Sequence, residues 1–451
     1  MMVPRPTAAR LWRCDLTALP SLPRIELALR QATERFAREL AQPSGTAPDW
    51  NEFEWTMARA AAVLHGVTPL LATNLCWPGP AHWQRFADQQ RSHTARRQQR
   101  IAALLQRIDA KSRRLGLATV PLKGAALHAL GLYSAGQRPM ADIDLLVREQ
   151  DAARTRRMLE ALGFGQTYVT WKNSIFDPRT RVVAAPAGAA PAPGAPAFGE
   201  YAHAAIKIEL HTRIVERLPV ISVDISPSVF PRDPQPGLNP YPSIVALISH
   251  LLIHAAGNMV GRNLRMIQLH DIALLAARMP GNDWDELIDA RASHAASWWA
   301  LPPLELVARY YTGAVPREVL TALRRHWPRS LRALAERQSI SDVSYTRLRF
   351  DAFPGLVWSR SISEKLGYIL SRIRPSREQL AMRASAGADA WVASTPWAQG
   401  SHRQRAFRWA LARPPRPPAM HTVRCAMQDP VDGATPPPQQ RDEIRAATRM
   451  S

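Results

Sequence analysis

Cysteine is nearly absent from this sequence: Cys14, Cys76 and Cys425 are three among 451 residues and stand far apart, with no CxxC spacing and no paired histidines beside them. That excludes a disulfide framework and a cysteine-ligated zinc site. Long apolar runs are missing too. The most apolar stretch, Ile244 to Ala256, is broken by His250 and His254, and it falls short of the about 20 apolar residues that a bilayer-spanning helix needs. Met1 to Leu22 carry prolines, arginines and Asp15 in place of an apolar signal core, so secretion is not expected. A soluble cytoplasmic protein with no membrane partner follows. There is no GxxxxGK[ST] loop, no GxGxxG opening a helix after a strand and no GxSxG elbow, which leaves ATPase, dinucleotide-binding and serine-hydrolase readings without support. Negative charge is in the minority, 37 Asp and Glu against 58 Lys and Arg, for a formal net charge of +21. That balance suits a polyanionic partner such as nucleic acid, because clustered cations concentrate phosphates. Arginine greatly outnumbers lysine, and alanine is abundant, so a GC-rich coding sequence with arginine on solvated helix faces gives the same count; both readings stay open.

What is present is enough apolar residue, 46%, to fold most of a chain long enough for two or three domains. Residues 1–50 form a poorly defined N-terminal segment. Residues 51–116 read as helical: WTMARAAAVLHGVTPLLATNL places apolar groups at three- and four-residue steps, and Ile101, Leu104, Leu105 and Ile108 continue that stripe toward Leu115. Residues 117–230 alternate strand and helix. A strand from Thr119 to Leu122 runs into Lys123-Gly124 and an alanine-rich helix; a second strand, Ile143 to Val147, precedes a helix capped by Asp151; a third spans Ile206 to Leu210. The tract AAPAGAAPAPGAPAFG, residues 184–199, lacks large apolar groups and reads as a flexible insertion. Residues 241–385 return to helix, and 414–451, with PPRPP and PPPQQ among arginines, read as a disordered basic tail.

Asp142 and Asp144 flank Ile143 at the start of a strand, and side chains two apart on a strand project from the same face. Two carboxylates therefore converge on one point. Crowded carboxylates repel, so the pair calls for a hard cation, and oxygen ligands suit magnesium or manganese rather than zinc. Such a cation serves phosphoryl chemistry, bridging the phosphates of a nucleotide and spreading the charge of the transition state. A lone D-x-D is common on solvated surfaces. Here Leu145, Leu146 and Val147 follow it, which puts it at the end of a buried strand. Upstream, Lys123-Gly124 lies at a strand-to-helix turn, where free backbone N–H groups and the positive helix end favour a phosphate. Downstream, Glu209 faces away from its neighbours Ile208 and Leu210 and is available as a third carboxylate.

The run LKGAALHALGLYSAGQRPMADIDLLV, residues 122–147, resembles an uncharacterised nucleotidyltransferase-like family of bacteria within the polymerase-β-like nucleotidyltransferase superfamily. IELHTRI, residues 208–214, is similar to that family's strand bearing the third carboxylate and its following histidine. WTMARAAAVLHGVTPLL, LRMIQLHDIALLAA and LSRIRPSREQL are similar to its flanking helical parts, so the resemblance runs over residues 50–385. It implies an α+β fold, with a small mixed-sheet nucleotidyltransferase domain embedded between helical N-terminal and C-terminal regions. It also implies that Asp142 and Asp144 bind two metal ions (Mg2+ or Mn2+), that Glu209 completes the site and activates the acceptor hydroxyl, and that Lys123 and Gly124 stand at the phosphates of an NTP. The sequence departs from the superfamily in having Lys-Gly-Ala where Gly-Ser is common, and in a longer gap from that turn to the aspartates. Arg138, in the loop before the aspartates, would pair bidentately with a triphosphate or else face water.

Other polar residues have two readings each. His211 shares the face of Glu209 and either orients that carboxylate or is a hydrogen-bonded core histidine. His254 and Asp271, on apolar helices, either roof the cleft or bond helix to helix. Arg262 and Arg265 either reach the triphosphate from above or end in solvent, and Trp55, Trp298 and Trp299 are core anchors. The expected reaction is transfer of a nucleotidyl group from an NTP to a hydroxyl or phosphate acceptor, which would be a small molecule, RNA or a protein. The rivals are a non-catalytic nucleic-acid-binding protein and a degenerate, regulatory member of the same fold.

Overall fold

Helix begins earlier in the chain than the sequence suggested. In a computed structural model, which describes residues 19–428 apart from 171, 180–197, 220, 289–297, 326, 328, 350, 352, 360 and 374–414, Leu22–Ala41 form helix α1. Ile25, Leu29, Ala32, Phe36 and Leu40 recur along it at three- and four-residue steps and are buried. The segment expected to be poorly defined is therefore a core element from Leu22 onward. Its stripe is narrow, with charged residues in every turn, and it becomes apolar surface worth burying only when α2 packs on it.

Helix α2 (Glu52–His65) opens with a reciprocal cap between Asn51 and Glu54 and closes at Gly66, whose φ of 66° is the left-handed geometry that glycine tolerates. After α3 (Thr68–Asn74), α4 (Ala81–Leu115) runs for 35 residues to Gly116, at φ 63°. Strand β1 (Ala118–Pro121), α5 (Gly124–Ala129), β2 (Asp142–Leu146), α6 (Ala152–Ala161), β3 (Phe164–Val169), β4 (Asn173–Pro178) and β5 (Lys207–His211) follow. A small ribbon of β6 (Val215–Arg217) and β7 (Ser222–Asp224), the short α7 (Ser226–Val229) and β8 (Gly237–Leu238) complete this part. The larger sheet has the order β3-β4-β5-β2-β1-β8; β2 runs parallel to β5, β1 parallel to β8, and the other pairs are antiparallel. This is an α+β fold with a mixed sheet. The β3–β4 hairpin has no counterpart in the sequence reading, because its strands are half-exposed and mix polar with apolar positions.

Beyond the sheet come α8 (Ile244–Gly261), α9 (Met266–Ala276), α10 (Gly281–Ile288), α11 (Leu301–Tyr310), α12 (Arg317–Arg325), α13 (Arg329–Arg337), α14 (Ile362–Ile373) and α15 (Pro417–Gln428). Helix α8 is long and apolar enough to cross a bilayer, yet most of it is buried inside this fold. The helices before and after the sheet share one continuous core, which includes Phe36, Met57, Ile248, Leu252, Leu269 and Leu304, with Trp55, Trp298 and Trp299 among its aromatic anchors. A second core lies against the other face of the sheet, where Ile101, Leu104 and Ile108 of α4 meet Ile143 and Leu145 of β2, Ile208 and Leu210 of β5, and Met158 and Leu159 of α6. By strand alternation, the remaining face of β2 and β5 looks toward the helical body.

The packing bears on two expectations. The Ala/Pro/Gly tract expected to be a flexible insertion lies outside the described residues up to 197, but Phe198 is buried and stacks on Phe86 at a ring separation of 5.2 Å. The tail expected to be disordered from 414 contains α15, which packs on α2 and buries Ala419, Met420, Val423 and Ala426. Prolines that argue against a helix in its interior are tolerated in its first turn, where no backbone donor is needed. Because Val423 is fully buried in the shared core, Val423→Asp should destabilise the protein by on the order of 3 kcal/mol, read as a lower midpoint in chemical denaturation. A solvated tail would show no change.

Candidate active site

The parallel pairing of β2 with β5 sets Asp142 beside Lys207, Asp144 beside Glu209 and Leu146 beside His211. Asp142, Asp144, Glu209 and His211 thus lie on the sheet face that looks toward the helices, while Ile143, Leu145, Ile208 and Leu210 hold the opposite face in the core. Asp144 is buried, and its Oδ1 accepts from both Lys123 Nζ and His211 Nε2, each at 3.0 Å. His211 Nε2 also lies 3.7 Å from Glu209 Oε2, which accepts a hydrogen bond from Asn173 Nδ2 on β4. Among the described residues no protein donor reaches the Asp142 carboxylate. Lys123 arrives from the turn between β1 and α5 with a φ of 47° and ψ of −116°, a conformation that costs a side-chain-bearing residue of order 1–3 kcal/mol.

Charge is unevenly compensated across this cluster. Burial, together with the adjacent Asp144 and Glu209 carboxylates, pushes the Asp142 carboxyl up to about 6. Burial also disfavours ionised Asp144, but the Lys123 ammonium and the His211 imidazole outweigh it and hold that carboxyl well below the usual range. In turn, burial works against charge on Lys123 and His211, and the carboxylates more than offset it, raising both. The donor set fits a divalent cation: Asp142 carries a negative charge that the protein opposes rather than balances, and Asp144, Glu209 and His211 offer ligand atoms within 4.8 Å of one another. Carboxylate oxygens suit magnesium and manganese, while the His211 Nε2 that donates to Asp144 orients that carboxylate.

The roof of the site is α8. Tyr241 Oη accepts from the Lys123 backbone N–H at 3.3 Å and donates to His250 Nδ1 at 2.7 Å, a neutral ring because burial drives its basicity far down. His254, one turn on, lies 3.6 Å from Glu216 on β6, which is also paired with Lys172. His254 therefore faces the β6–β7 ribbon, and along its own helix it bonds to Asn258.

Arg138 and Gly124 turn out to be bound to each other rather than open to a ligand. The Arg138 guanidinium is buried and donates through Nε and Nη2 to Asp271 of α9, both at 2.7 Å, and Tyr133 Oη donates to the same carboxylate. The expected fork toward a triphosphate, or toward water, is corrected accordingly: it is closed on Asp271, because a buried guanidinium must be paired. Gly124 makes room for it, since a β-carbon there would stand 2.3 Å from Arg138 Nη1. Arg262 pairs with Asp351 at 2.6 Å, away from the carboxylates, while Arg265 is close enough to Asp142 to favour its charged form.

The residue that sequence reasoning missed is Arg97. Its side chain, buried on α4, donates to the carbonyls of Met140 and Ala141 ahead of β2 and of Ala204 and Ala205 ahead of β5, at 2.6–3.1 Å. One guanidinium thereby fixes where both carboxylate-bearing strands start. Its signal was in the sequence: position 97 falls on the same helical stripe as Ile101, Leu104 and Ile108, where a solvated arginine does not belong.

Two consequences are measurable. For Asp142, the carboxyl is raised, so its ionisation opposes folding, and the penalty sets in as the pH rises from 3.8 through about 6. Asp142→Asn should therefore stabilise the metal-free protein by roughly 1–3 kcal/mol at pH 7, and the gain should shrink at pH 4 in urea denaturation with chelator present. For Gly124, alanine would press on the buried guanidinium, and Gly124→Ala should cost about 1–3 kcal/mol, seen as a lower thermal midpoint.

The model of one protein family, described as uncharacterised nucleotidyltransferase, matches residues 51–312, a span from α2 to just past α11. Neither the curated proteins nor the solved structures yield a match. The matched span holds β1, β2, β5 and the carboxylates Asp142, Asp144 and Glu209, and it makes up more than half of the 451 residues. The chain belongs to the uncharacterised nucleotidyltransferase family.

Proposed function

We propose that this chain is a metal-dependent nucleotidyltransferase, which transfers a nucleotidyl group from an NTP to a hydroxyl or phosphate acceptor and releases pyrophosphate. The observation that carries the reading is the crowding of Asp142, Asp144 and Glu209 on adjacent parallel strands, where burial and the two neighbouring carboxylates raise the Asp142 carboxyl. A magnesium or manganese ion held by these three carboxylates would supply the positive charge that phosphoryl transfer needs at the phosphates. The chain's own groups do the rest by position. Glu209, whose Oε2 is held by Asn173 with His211 nearby, is oriented to take the proton from an acceptor hydroxyl. Lys123 presents an ammonium beside Asp144, at the turn where the phosphates of the NTP would lie, and Arg265 adds positive charge on the Asp142 side. Helix α8, through His250 and His254, covers the cluster and keeps water from competing with the acceptor.

The acceptor is a small molecule, RNA or a protein, and the net charge of +21 would help a polyanionic one to dock. The reading places the protein in the cytoplasm, where nucleoside triphosphates are supplied. Calorimetric titration with each NTP, with and without magnesium, combined with a coupled assay of pyrophosphate release, tests it. Native protein should bind an NTP only with the metal, and the double variant Asp142→Asn, Asp144→Asn should lose that binding by at least about a hundredfold. Metal-independent binding of RNA by both, with no NTP bound by either, would replace the transferase with a nucleic-acid-binding protein.

A further inference from the structure

A lysine in a left-handed backbone conformation, with its ammonium buried against a carboxylate, is a costly arrangement. Glycine at position 123 would adopt φ 47° without strain, so what lysine contributes there is its side chain. That side chain lies between the groups of the site: Nζ is 3.0 Å from Asp144 Oδ1 and close enough to Asp142 and Glu209 to feel both charges. The surroundings confirm that the position is built for it. Tyr241 holds the Lys123 backbone N–H from the helical side, and the same Asp144 oxygen is anchored by His211 from the other.

We infer that the Lys123 ammonium stands where a second cation would otherwise sit, so that the nucleotide-free site takes up a single divalent ion. The inference rests on the proposed nucleotidyltransferase reading and narrows it, since three carboxylates on adjacent strands would otherwise suit two ions. The three carboxylates together carry at most three negative charges; the Lys123 ammonium offsets one of them, and the two at most that remain are matched by one divalent ion. The oxygen atoms tell the same story. Asp144 Oδ1 is spent on Lys123 and His211, and Glu209 Oε2 on Asn173. The Asp142 carboxylate, Asp144 Oδ2 and Glu209 Oε1 accept no side-chain hydrogen bond among the described residues. Lys123 is in this respect a resident counter-ion, placed by backbone strain where a mobile one would have to be bound anew in each cycle.

The probe is Mn2+ alone, titrated without nucleotide and followed by electron paramagnetic resonance of the free ion and by calorimetry. Native protein should bind one equivalent. Lys123→Met, which keeps the bulk of the side chain and removes the charge, should bind the first ion at least roughly tenfold tighter or accept a second. Lys123→Gly removes the charge and relaxes the backbone, so it provides a folded variant if the methionine leaves Asp144 too poorly compensated to fold. Circular dichroism establishes folding in each case. Two ions on the native protein, or folded variants that bind Mn2+ as the native does, would overturn the inference while leaving the transferase reading in place. No ion on any of the three would overturn both. One ion on native protein and tighter binding by the variants, with no NTP bound under any condition, would keep Lys123 as counter-ion and sink the transferase alone.

Discussion

Everything in the site depends on two strands starting at the same level. Asp144 and Glu209 are 65 residues apart in sequence and become neighbours because β2 and β5 pair in parallel with those two positions opposite each other. A slip of one residue would turn Glu209 into the core and Ile208 or Leu210 onto the charged face. The hydrophobic alternation of each strand specifies which face is which, and Arg97 specifies the level, by binding the carbonyls just ahead of both strands. A buried arginine is expensive unless every donor finds a partner. Here the partners are backbone oxygens ahead of both strands, so one side chain fixes two chain segments at once.

The price of gathering three carboxylates is distributed unequally among them. Asp144, in the middle, is given Lys123 and His211 and stays ionised; Glu209 is given Asn173 and the edge of His211; Asp142 is given nothing within hydrogen-bond reach. That inequality is informative. A decayed site would be expected to fill with apolar residues or to pair every charge internally, whereas this one keeps a single carboxylate raised and open beside two that are oriented. The helices above extend the same polar logic: Tyr241, His250, His254 and Glu216 form the ceiling, and α8 is apolar only on the sides that pack.

A buried ion pair, beside the apolar core that takes in Val120 and Leu146, ties the helical body to the sheet. Arg138, in the loop that leads to β2, is bound by Asp271 of α9, so the loop ahead of the aspartates cannot move without the helix that carries its partner. The same contact explains Gly124, whose missing side chain is filled by the guanidinium. Helices from both ends of the chain, α1 and α2 on one side and α8, α9 and α15 on the other, share the core beneath this contact. What looked like flanking regions on either side of a catalytic domain is one helical body against which the sheet is mounted.

The sequence by itself determined the elements whose information is local. Strand alternation put Asp142 and Asp144 on one face and turned Glu209 away from Ile208 and Leu210, and the resemblance to the nucleotidyltransferase family implied the α+β fold. Periodicity also identified most of the helices. Four things were decided only in three dimensions, because each depends on a partner distant in sequence. Helices α1 and α15 have stripes too narrow to stand out among charges and prolines, and they exist because α2 covers them. Arg138 had an open loop position in sequence and found Asp271, more than a hundred residues away, which closed its fork. Arg97 lies on the buried stripe of α4, but which carbonyls it would bind was decided only by the two strands that meet it. Lys123 carried no local sign that its backbone would turn left-handed, since that strain is sustained by the carboxylate its ammonium reaches and by the tyrosine that holds its amide.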